Sequence, residues 1–287
     1  MKRTDISRRR DVRDLVRRSL QEDIGTGDVT SKAMVGPKDV ARAVIVSRGK
    51  YVVAGGAIAK LVFSACDPKL SVRVLVKDGT RISAGDPILH VKGKARSILA
   101  AERVALNFLQ RMTGIATLTR QFVQKAKPHG VQVLDTRKTT PLLRALEKSA
   151  VLCGGGLNHR MGLYDRVLIK DNHRAFWKRS RRGSLADAVI AARRRNPGLL
   201  VEVEVESEND LKAVLKASPN WVLLDNMPVG RIRRCVQICG GKCKIEVSGG
   251  VSMKTIERIA QTGVDAVSIG ALTHSAPAAD LSLEFCD

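Results

Sequence analysis

Short runs in which apolar and polar residues alternate dominate the segment from Val40 to Gly93. Apolar residues at every second position are typical of half-buried β-strands. Turn-forming residues separate the runs at Asp78-Gly79 and at Gly85-Asp86-Pro87. The pattern predicts strands in VARAVIVS, KYVVAGG, LSVRVLVKDG and PILHVKG.

Helical spacing is found on both sides of this β-rich segment. Residues 11–22 carry apolar residues on a single face, and the run EDIGTGDVTS after them predicts a Gly-rich loop. A longer apolar stripe begins near Ser97. We expect Gly114 to end or kink this helix before a second helical stretch over residues 116–127, because glycine weakens helix interiors.

The remainder of the chain alternates between apolar runs and helical or loop segments. The runs are VQVLD, DRVLIK, LLVEVEVE, WVLLDN, CKIEVSGG and DAVSIGA. Repeated β-then-α units predict a parallel sheet or barrel, and six units rather than eight indicate an open barrel. Each run ends in a polar or glycine residue, where βα barrels carry their chemistry. DLSLEFCD predicts a further strand, which we expect to return to the N-terminal domain.

The amino-acid composition disfavours some classes of protein. Lys and Arg outnumber Asp and Glu by 50 to 28, which gives a net charge of +22 over 287 residues. Aromatic residues make up only 3% of the chain, so the stacking platforms of nucleic-acid modules are scarce and nucleic-acid binding is disfavoured. We expect no membrane span, because no apolar run reaches 18 residues, and a cytoplasmic protein, because a secretory h-region is absent.

The cysteines do not indicate a metal site. Cys235, Cys239 and Cys243 are spaced by four, yet Gly240 and Gly241 interrupt any helix that would stack them. No CxxC pair occurs among the six cysteines. We interpret them as reduced, mostly buried thiols.

Cations are concentrated between Asp135 and His173, around Gly154-Gly155-Gly156. They are Arg137, Lys138, Arg144, His159, Arg160, Lys170 and His173. Arg137 and Lys170 follow apolar runs closely, so they are expected near strand ends. This segment predicts a pocket for a small molecule with several negative charges, in which His159-Arg160 and Lys170 form a carboxylate clamp.

Acidic residues alternate with valines in VEVEVE, so Glu202, Glu204 and Glu206 share one face of the predicted strand. If that face is interior, the acids need Arg or Lys partners, a metal or substrate hydroxyls. The alternative is a solvated edge. Asp225 ends the next run and suits ribose hydroxyls or water around Mg²⁺, or else the N-cap of a helix.

Two glycine-containing loops follow the last apolar runs. Ser248-Gly249-Gly250 precedes the helical stretch MKTIERIA, and Ile269-Gly270-Ala271 lies one βα unit later. Small residues let backbone N–H groups approach a phosphate. The pair predicts a phosphate site, although each loop alone is also compatible with an ordinary tight turn.

Several long blocks resemble the quinolinate phosphoribosyltransferase family and run in the order found in that family from residue 22 to about 276. They are EDIGTGDVTS, ERVALNFLQRMTGIAT, DTRKTTP, GGGLNHRMGLYD, LIKDNH, VEVEV, LLDNM, SGGVS and GVDAVSIGALTHSA. The resemblance implies an N-terminal α/β sandwich over residues 1–113, to which residues 277–287 return, and an open α/β barrel over residues 114–276. It further implies a homodimer, Mg²⁺ as cofactor, and transfer of phosphoribose from phosphoribosyl pyrophosphate to quinolinate. Nicotinate mononucleotide, CO₂ and pyrophosphate would be released.

The resemblance also assigns roles to residues. Arg137, His159, Arg160 and Lys170 would hold the quinolinate carboxylates, and Arg103 would reach in from the partner subunit. Lys138 and Lys170 would face the pyrophosphate, while Glu204 and Asp225 would hold the ribose hydroxyls and Mg²⁺. These four would form the catalytic set. The remaining substrate-binding residues would be Thr136, the loop Ser248, Gly249 and Gly250, and the loop Ile269, Gly270 and Ala271, with both loops around the 5-phosphate.

The chain departs from the family at three places. Leu142 stands where Gly is usual, Ser149 stands where Tyr is common, and the basic segment 178–182 is unusual. Two other functions stay open from the sequence. One is a related transferase that prefers nicotinate, although the number of cations favours a dicarboxylate. The other is a nucleic-acid-binding protein that uses the high net charge.

Overall fold

The computed structural model describes residues 5–180 and 183–286. Two compact units interleave along the chain. As far as they are described, one comprises Met1–Arg120, Thr139–Gly155 and Ala271–Asp287, and the other comprises Gln121–Lys138 and Gly156–Gly270. The division into sequence domains after residues 113 and 276 stays a prediction.

The helices are α1 to α11 in chain order: Arg10–Ile24, Val29–Met34, Gly56–Cys66, Ala95–Ala126, Arg144–Gly154, Asp171–Arg179, Leu185–Arg195, Glu208–Leu215, Val229–Cys239, Ile256–Ala260 and Ala271–His274. The strands are β1 to β12: Val40–Ser47, Tyr51–Val52, Ser71–Val74, Arg81–Ile82, Pro87–Lys94, Gln132–Leu134, Val167–Ile169, Val201–Val205, Trp221–Asp225, Lys244–Ser248, Ala266–Ser268 and Leu281–Cys286. None of the described helices is long and apolar enough to cross a membrane.

The first unit contains an antiparallel sheet in the order β12-β1-β5-β3. Its strands show the alternating burial that the sequence predicts, with Ala43 and Ile45 of β1 buried, Arg42 exposed and Val44 half-buried. β12 pairs with β1 from Arg42↔Cys286 to Ser47↔Leu281, so the strand predicted in DLSLEFCD is confirmed. β2 and β4 form a separate two-stranded ladder.

Two local predictions in this unit are wrong. Gly114 does not interrupt the helix, because α4 runs unbroken from Ala95 to Ala126. A Cβ at Gly114 would collide with the carbonyl oxygen of Pro277, so the glycine permits close packing of two backbone segments. The expected Gly-rich loop over residues 22–31 is too long: only residues 25–28 lie between α1 and α2, and Asp28 caps α2 by accepting the Ser31 N–H at 2.9 Å.

The second unit contains a parallel six-stranded sheet in the order β6-β11-β10-β9-β8-β7. Its strands have buried residues on both faces, as parallel sheets covered by helices require. β6 and β7 lie at opposite ends of that order, so the sheet is open. The predicted fold class, an N-terminal α/β unit with an open α/β barrel, is confirmed.

Candidate active site

Polar residues follow the strands of the parallel sheet at one edge. Because parallel strands share their direction, their carboxyl ends lie on the same side of the sheet. The predicted site residues at this edge are Thr136, Arg137 and Lys138 after β6, Lys170 after β7, Glu204 in β8, Asp225 in β9, Ser248, Gly249 and Gly250 at β10, and Ile269 and Gly270 after β11. The topology therefore brings together residues separated by more than 100 positions in sequence.

Arg137 and Arg160 form the half-buried cationic part of this edge. Burial, and then the positive charge of Arg137, lower the pKa of Arg160. The Arg160 Nη1 donates to the carbonyl oxygen of Arg166 at 3.4 Å. Two guanidinium groups that repel each other in a partly desolvated place are a favourable setting for an anion with two negative charges.

Thr136 and Lys138 lie on the loop that leaves β6. The Lys138 backbone N–H donates to Thr136 Oγ1 at 3.0 Å, which shapes this loop as a local turn. The Lys138 side chain is exposed. It is therefore accessible to a soluble phosphate group.

Lys170 and Glu204 form the second charged part of the edge. Lys170 Nζ lies 3.6 Å from Glu204 Oε2. Burial raises the pKa of Glu204, and this effect outweighs the opposing charge of Lys170; the negative charges of Asp225 and Asp171 raise it further. His173 is occupied locally, because its Nδ1 accepts the Lys170 backbone N–H at 3.0 Å.

Glu204 and Asp225 fit a hard divalent cation. Their mutual repulsion, visible in the raised pKa of Glu204, is what such a cation would relieve. Asp225 Oδ2 accepts from Asn226 Nδ2 at 2.8 Å, which orients the carboxylate. Asp225 is not a helix N-cap, because α9 is capped by Pro228. Mg²⁺ is commonly bound through one or two carboxylates together with substrate phosphates.

The loop at Ser248, Gly249 and Gly250 depends on its glycines. Gly249 and Gly250 have φ values of 79° and 63°, which L side chains rarely adopt. A Cβ on Gly249 would also collide with the Asn226 side chain. The helix expected directly after this loop begins only at Ile256 and has five residues. Exposed backbone N–H groups, rather than a helix dipole, are what this loop offers to an anion.

His159 lies below this edge in a buried position. Its Nε2 is 3.0 Å from Glu202 Oε2 and 3.5 Å from Glu246 Oε2. Its Nδ1 accepts the Arg160 backbone N–H at 2.7 Å, and its own backbone N–H donates to Asp135 Oδ1 at 2.9 Å. The ring is thus engaged on both nitrogens within the protein.

The structure adds Asp135, Arg166, Glu202 and Glu246 to the residues predicted from sequence. All but Arg166 are buried, and the Arg166 side chain is only 14% exposed. A signal for Glu202 was present in the alternation of VEVEV, which left open an interior face, with Arg or Lys, a metal or substrate hydroxyls as partners, or a solvated edge; the structure shows the interior face for Glu202 and an Arg partner. Glu246 interrupts the apolar run KIEVS, and an ionisable residue inside a buried strand is a sign of a polar network.

Three predicted or noted residues belong to the first unit. Arg103 is exposed on α4, Ala271 begins α11, and Arg144 Nε donates to Thr139 Oγ1 at 3.0 Å. Within the basic segment 178–182, Lys178 and Arg179 end α6, whereas Arg181 and Arg182 lie outside the described residues.

Two of the three departures from the family pattern have local structural correlates in the first unit. Leu142 has a φ of 67°, in the region that favours glycine, and its side chain is exposed. Ser149 lines a cavity of about 130 Å³ together with Gly55, Met112 and Cys153. The position where Tyr is common thus faces unfilled space.

Comparisons with known proteins identify the family of the chain. The profile of the quinolinate phosphoribosyl transferase N-terminal domain matches residues 28–113, and that of the C-terminal domain matches residues 115–284. A nicotinate-nucleotide pyrophosphorylase [carboxylating] from Mycobacterium leprae is 43% identical over 95% of this chain and 96% of its own. A probable nicotinate-nucleotide pyrophosphorylase [carboxylating] from Bacillus subtilis is 39% identical over 95% and 93%.

Solved structures agree in fold. The nicotinate-nucleotide pyrophosphorylase from Francisella tularensis superimposes with a TM-score of 0.90 at 38% identity, covering 99% of both chains. The enzyme of that name from Ehrlichia chaffeensis gives a TM-score of 0.90 at 34% identity over 100% of both chains. The chain belongs to the quinolinate phosphoribosyl transferase family.

Proposed function

We propose that this protein transfers the phosphoribosyl group of phosphoribosyl pyrophosphate to quinolinate and decarboxylates the product, releasing nicotinate mononucleotide, CO₂ and pyrophosphate. This is the activity for which its relatives are named. The observation that carries the proposal is the single sheet edge where Arg137, Arg160 and Lys170 lie in the same unit as Glu204 and Asp225. One set of charges suits an aromatic dicarboxylate and the other suits a sugar diphosphate.

The cationic set would hold quinolinate. Arg137 and Arg160 are half-buried, so their charge-assisted hydrogen bonds to carboxylates are stronger than at an open surface. Lys170 would add a point charge beside them. His159 is carried over from the family as a further ligand, although in this fold its ring nitrogens already face Glu202 and the Arg160 N–H.

The acidic set and the glycine loops would hold the phosphoribosyl donor. Glu204 and Asp225 would bind the ribose hydroxyls and Mg²⁺, which when bound supplies charge neutralisation at the pyrophosphate. Lys138 and Lys170 would contact the leaving pyrophosphate. The loops Ser248–Gly250 and Ile269–Ala271 would present backbone N–H groups to the 5-phosphate, and Thr136 would line the same edge.

The chemistry requires positioning and charge rather than a protein nucleophile. The quinolinate nitrogen attacks the anomeric carbon as pyrophosphate departs, and the sugar becomes cationic on the way, which Glu204 and Asp225 stabilise. The quaternary ring nitrogen then accepts the electron pair of the departing carboxylate as CO₂ leaves, and a proton takes its place on the ring. Cations that bind the carboxylate too tightly would oppose that last step.

We extend the proposal to assembly and location. Arg103 is exposed on α4 and would be contributed to the site of a partner subunit in a homodimer. The location would be the cytoplasm. Sedimentation of the purified protein tests the dimer, and complementation of an inactive Arg103→Ala chain by an inactive Arg137→Ala chain tests the shared site, because mixed dimers would regain one complete site.

A substrate comparison tests the function. With Mg²⁺ and phosphoribosyl pyrophosphate, the protein should consume quinolinate and release one CO₂ for each nicotinate mononucleotide formed. Nicotinate alone should not be turned over, because a monocarboxylate engages only part of the cationic set. Turnover of nicotinate but not quinolinate would contradict the proposal. Specific nucleic-acid binding that persists at physiological salt would favour the alternative function.

A further inference from the structure

A buried polar cluster lies within the parallel sheet, one layer below the proposed substrate edge. It is formed by His159, Arg166, Glu202 and Glu246. Both glutamates are buried almost completely, with 0% and 1% of their surface exposed. Such a cluster must be satisfied internally, because an unpaired charge at this depth would be strongly destabilising.

The hydrogen bonds of His159 define one tautomer. Its Nδ1 accepts the backbone N–H of Arg160 at 2.7 Å, so that nitrogen carries no proton. The proton of the neutral ring is therefore on Nε2, which donates to Glu202 Oε2 at 3.0 Å. Turning the ring or moving its proton would break the hydrogen bond that holds the backbone of Arg160.

Arg166 provides the positive charge of the cluster. Its Nη1 lies 3.2 Å from Glu202 Oε2, and its guanidinium stacks over the Trp221 ring at 5.6 Å. The same Nη1 is 3.3 Å from His159 Nε2. Burial alone would raise the pKa of Glu202, but the hydrogen bond from His159 and the charge of Arg166 outweigh it and lower that pKa. A metal ion would have to displace this guanidinium.

Glu246 completes the cluster, and its surroundings favour the neutral form of its carboxyl group. Burial, and then the negative charge of Glu202, raise the pKa of Glu246 well above its ordinary value. Among the described residues, Glu202 Oε1 and Glu246 Oε2 are buried oxygens without a donor. One oxygen of each carboxyl and a His159 ring nitrogen lie within 4.8 Å of one another. A carboxyl proton on Glu246 directed to Glu202 removes this deficit.

We propose that Glu246 is a positioning residue: by donating a hydrogen bond to Glu202, it holds Glu202 against His159 and so fixes the backbone of Arg160 at the dicarboxylate end of the site. The inference rests on the proposed function for its kinetic consequence. Its structural part, the tautomer of His159, does not depend on which substrate the protein uses. Glu246 touches no substrate in this account and acts only through Glu202 and His159.

Paired substitutions of Glu246 test the kinetic part. Glu246→Leu keeps the bulk of the side chain and removes the donor, so we expect the KM for quinolinate to rise about 10-fold or more while the KM for phosphoribosyl pyrophosphate stays within about 2-fold. Glu246→Gln restores a neutral donor and should stay within about 3-fold of wild type. Glu257→Leu, at an exposed position in α10, is the matched control and should leave both constants unchanged.

Normal quinolinate kinetics in Glu246→Leu would overturn the proposal. So would a Glu246→Gln variant as impaired as Glu246→Leu, because ionised charge rather than a donor would then be required. If Glu246→Leu does not fold, Glu246→Asp replaces it, since the shorter acid cannot reach Glu202 as well and should shift the same constant in the same direction.

Nitrogen-15 NMR of the histidine rings tests the structural part in the wild-type protein. We expect one ring, assigned by loss of its signals in His159→Gln, to be neutral with its proton on Nε2 at pH 7, and to keep this state in Glu246→Gln. In Glu246→Leu the signals should broaden or report mixed tautomers. A wild-type ring protonated on Nδ1 would refute the inference even if quinolinate is the substrate, whereas the predicted tautomer without quinolinate turnover would refute only the proposed function.

Discussion

Glu202 and Glu204 are two residues apart on β8 and point to the same side of the sheet, yet their surroundings differ. Glu202 is enclosed by His159 and Arg166, and its pKa is lowered. Glu204 faces Lys170 and the acids at the strand ends, and burial raises its pKa. The two residues are about 7 Å apart along the strand. The protein pairs the charge of Glu202 with a neighbouring cation, whereas Glu204 lies close to other acids that repel it.

On this basis we distinguish residues that support the structure of the site from residues that are proposed to bind substrate. Removing an acid whose charge is matched within the protein leaves its partner buried and unpaired, whereas an acid held near other acids is unfavourable until a ligand arrives. Glu202 therefore belongs to the framework of the site, and we propose that Glu204 belongs to its binding surface. The same division distinguishes His159, whose ring nitrogens are engaged, from Arg160, whose guanidinium is at the substrate edge.

The largest expected effect concerns the residues that are proposed to bind quinolinate. We expect Arg160→Ala and Arg137→Ala to lower kcat/KM for quinolinate by about 100- to 1000-fold, because each removes a charge-assisted contact to a carboxylate. The unfolding midpoint should change little, since both side chains are only half-buried. Steady-state kinetics with circular dichroism checks this, and near-normal kinetics in either variant would remove that residue from the clamp.

The next largest expected effect concerns a residue that supports the structure of the site. Glu202→Ala should lower the free energy of unfolding by about 3 kcal/mol, because it leaves Arg166 without its buried acid. Glu206→Ala, just beyond the end of β8, is the matched control: the Glu206 side chain is exposed and its Oε2 lies 3.8 Å from Arg174 Nη1, so its loss should change stability by less than about 0.5 kcal/mol. Equal losses of stability for Glu202→Ala and Glu206→Ala in urea unfolding would contradict the supporting role of Glu202.

Glu202 and Glu204 should affect the pH dependence of the free energy of unfolding in opposite directions. Folding lowers the pKa of Glu202, so its ionised form stabilises the protein above the ordinary value of 4.5, and this contribution is lost as pH falls through the lowered pKa. Folding raises the pKa of Glu204, so its ionised form destabilises the protein once pH rises through the raised pKa.

Urea unfolding of two glutamine variants measures these opposite trends. Relative to wild type, Glu202→Gln should become less stable as pH rises from 4 to 7, and Glu204→Gln should become equally or more stable. Parallel curves for the two variants would contradict the assignment of the two environments.

The smallest effect concerns a position where the backbone, rather than charge, decides. Leu142→Gly should raise the free energy of unfolding by about 1 kcal/mol or less, because the relief of the strained φ of 67° is partly offset by the entropy of glycine in the unfolded chain. Pro141→Gly, an exposed neighbour, is the control and should destabilise. Stabilisation by neither variant would mean that this backbone conformation is not strained.

Sequence periodicity predicted the elements that have a continuous apolar run or a clear alternation of apolar and polar residues. The parallel runs, the open sheet and the C-terminal strand follow from the apolar runs, whereas the alternation in VEVEV placed the acids on one face without showing that this face is interior. Helix α3 was not predicted, because GAIAKLVFSAC follows KYVVAGG without a break in apolar character. Gly114 was misinterpreted because its reason, the approach of the Pro277 backbone, is a long-range contact.

The site was predictable to different degrees. Cations and acids at strand ends could be recognised because parallel strands align their carboxyl ends, but their individual roles stay predictions. The Glu202–Glu246 relationship could not be recognised, since it joins β8 to β10 across β9 and depends on burial. The short helix α10 shows a further limit: a run such as MKTIERIA has helical composition, yet only Ile256–Ala260 is helical.

The most direct test of whether Glu204 acts in catalysis rather than in stability uses the Glu204→Gln variant. Turnover and the free energy of unfolding are measured on the same preparation. We expect quinolinate-dependent CO₂ release to fall by about 100-fold or more, because the substitution removes a charge that stabilises the cationic sugar. The free energy of unfolding at pH 7 should be unchanged or higher. Normal turnover, or a loss of stability as large as that of Glu202→Ala, would contradict this account.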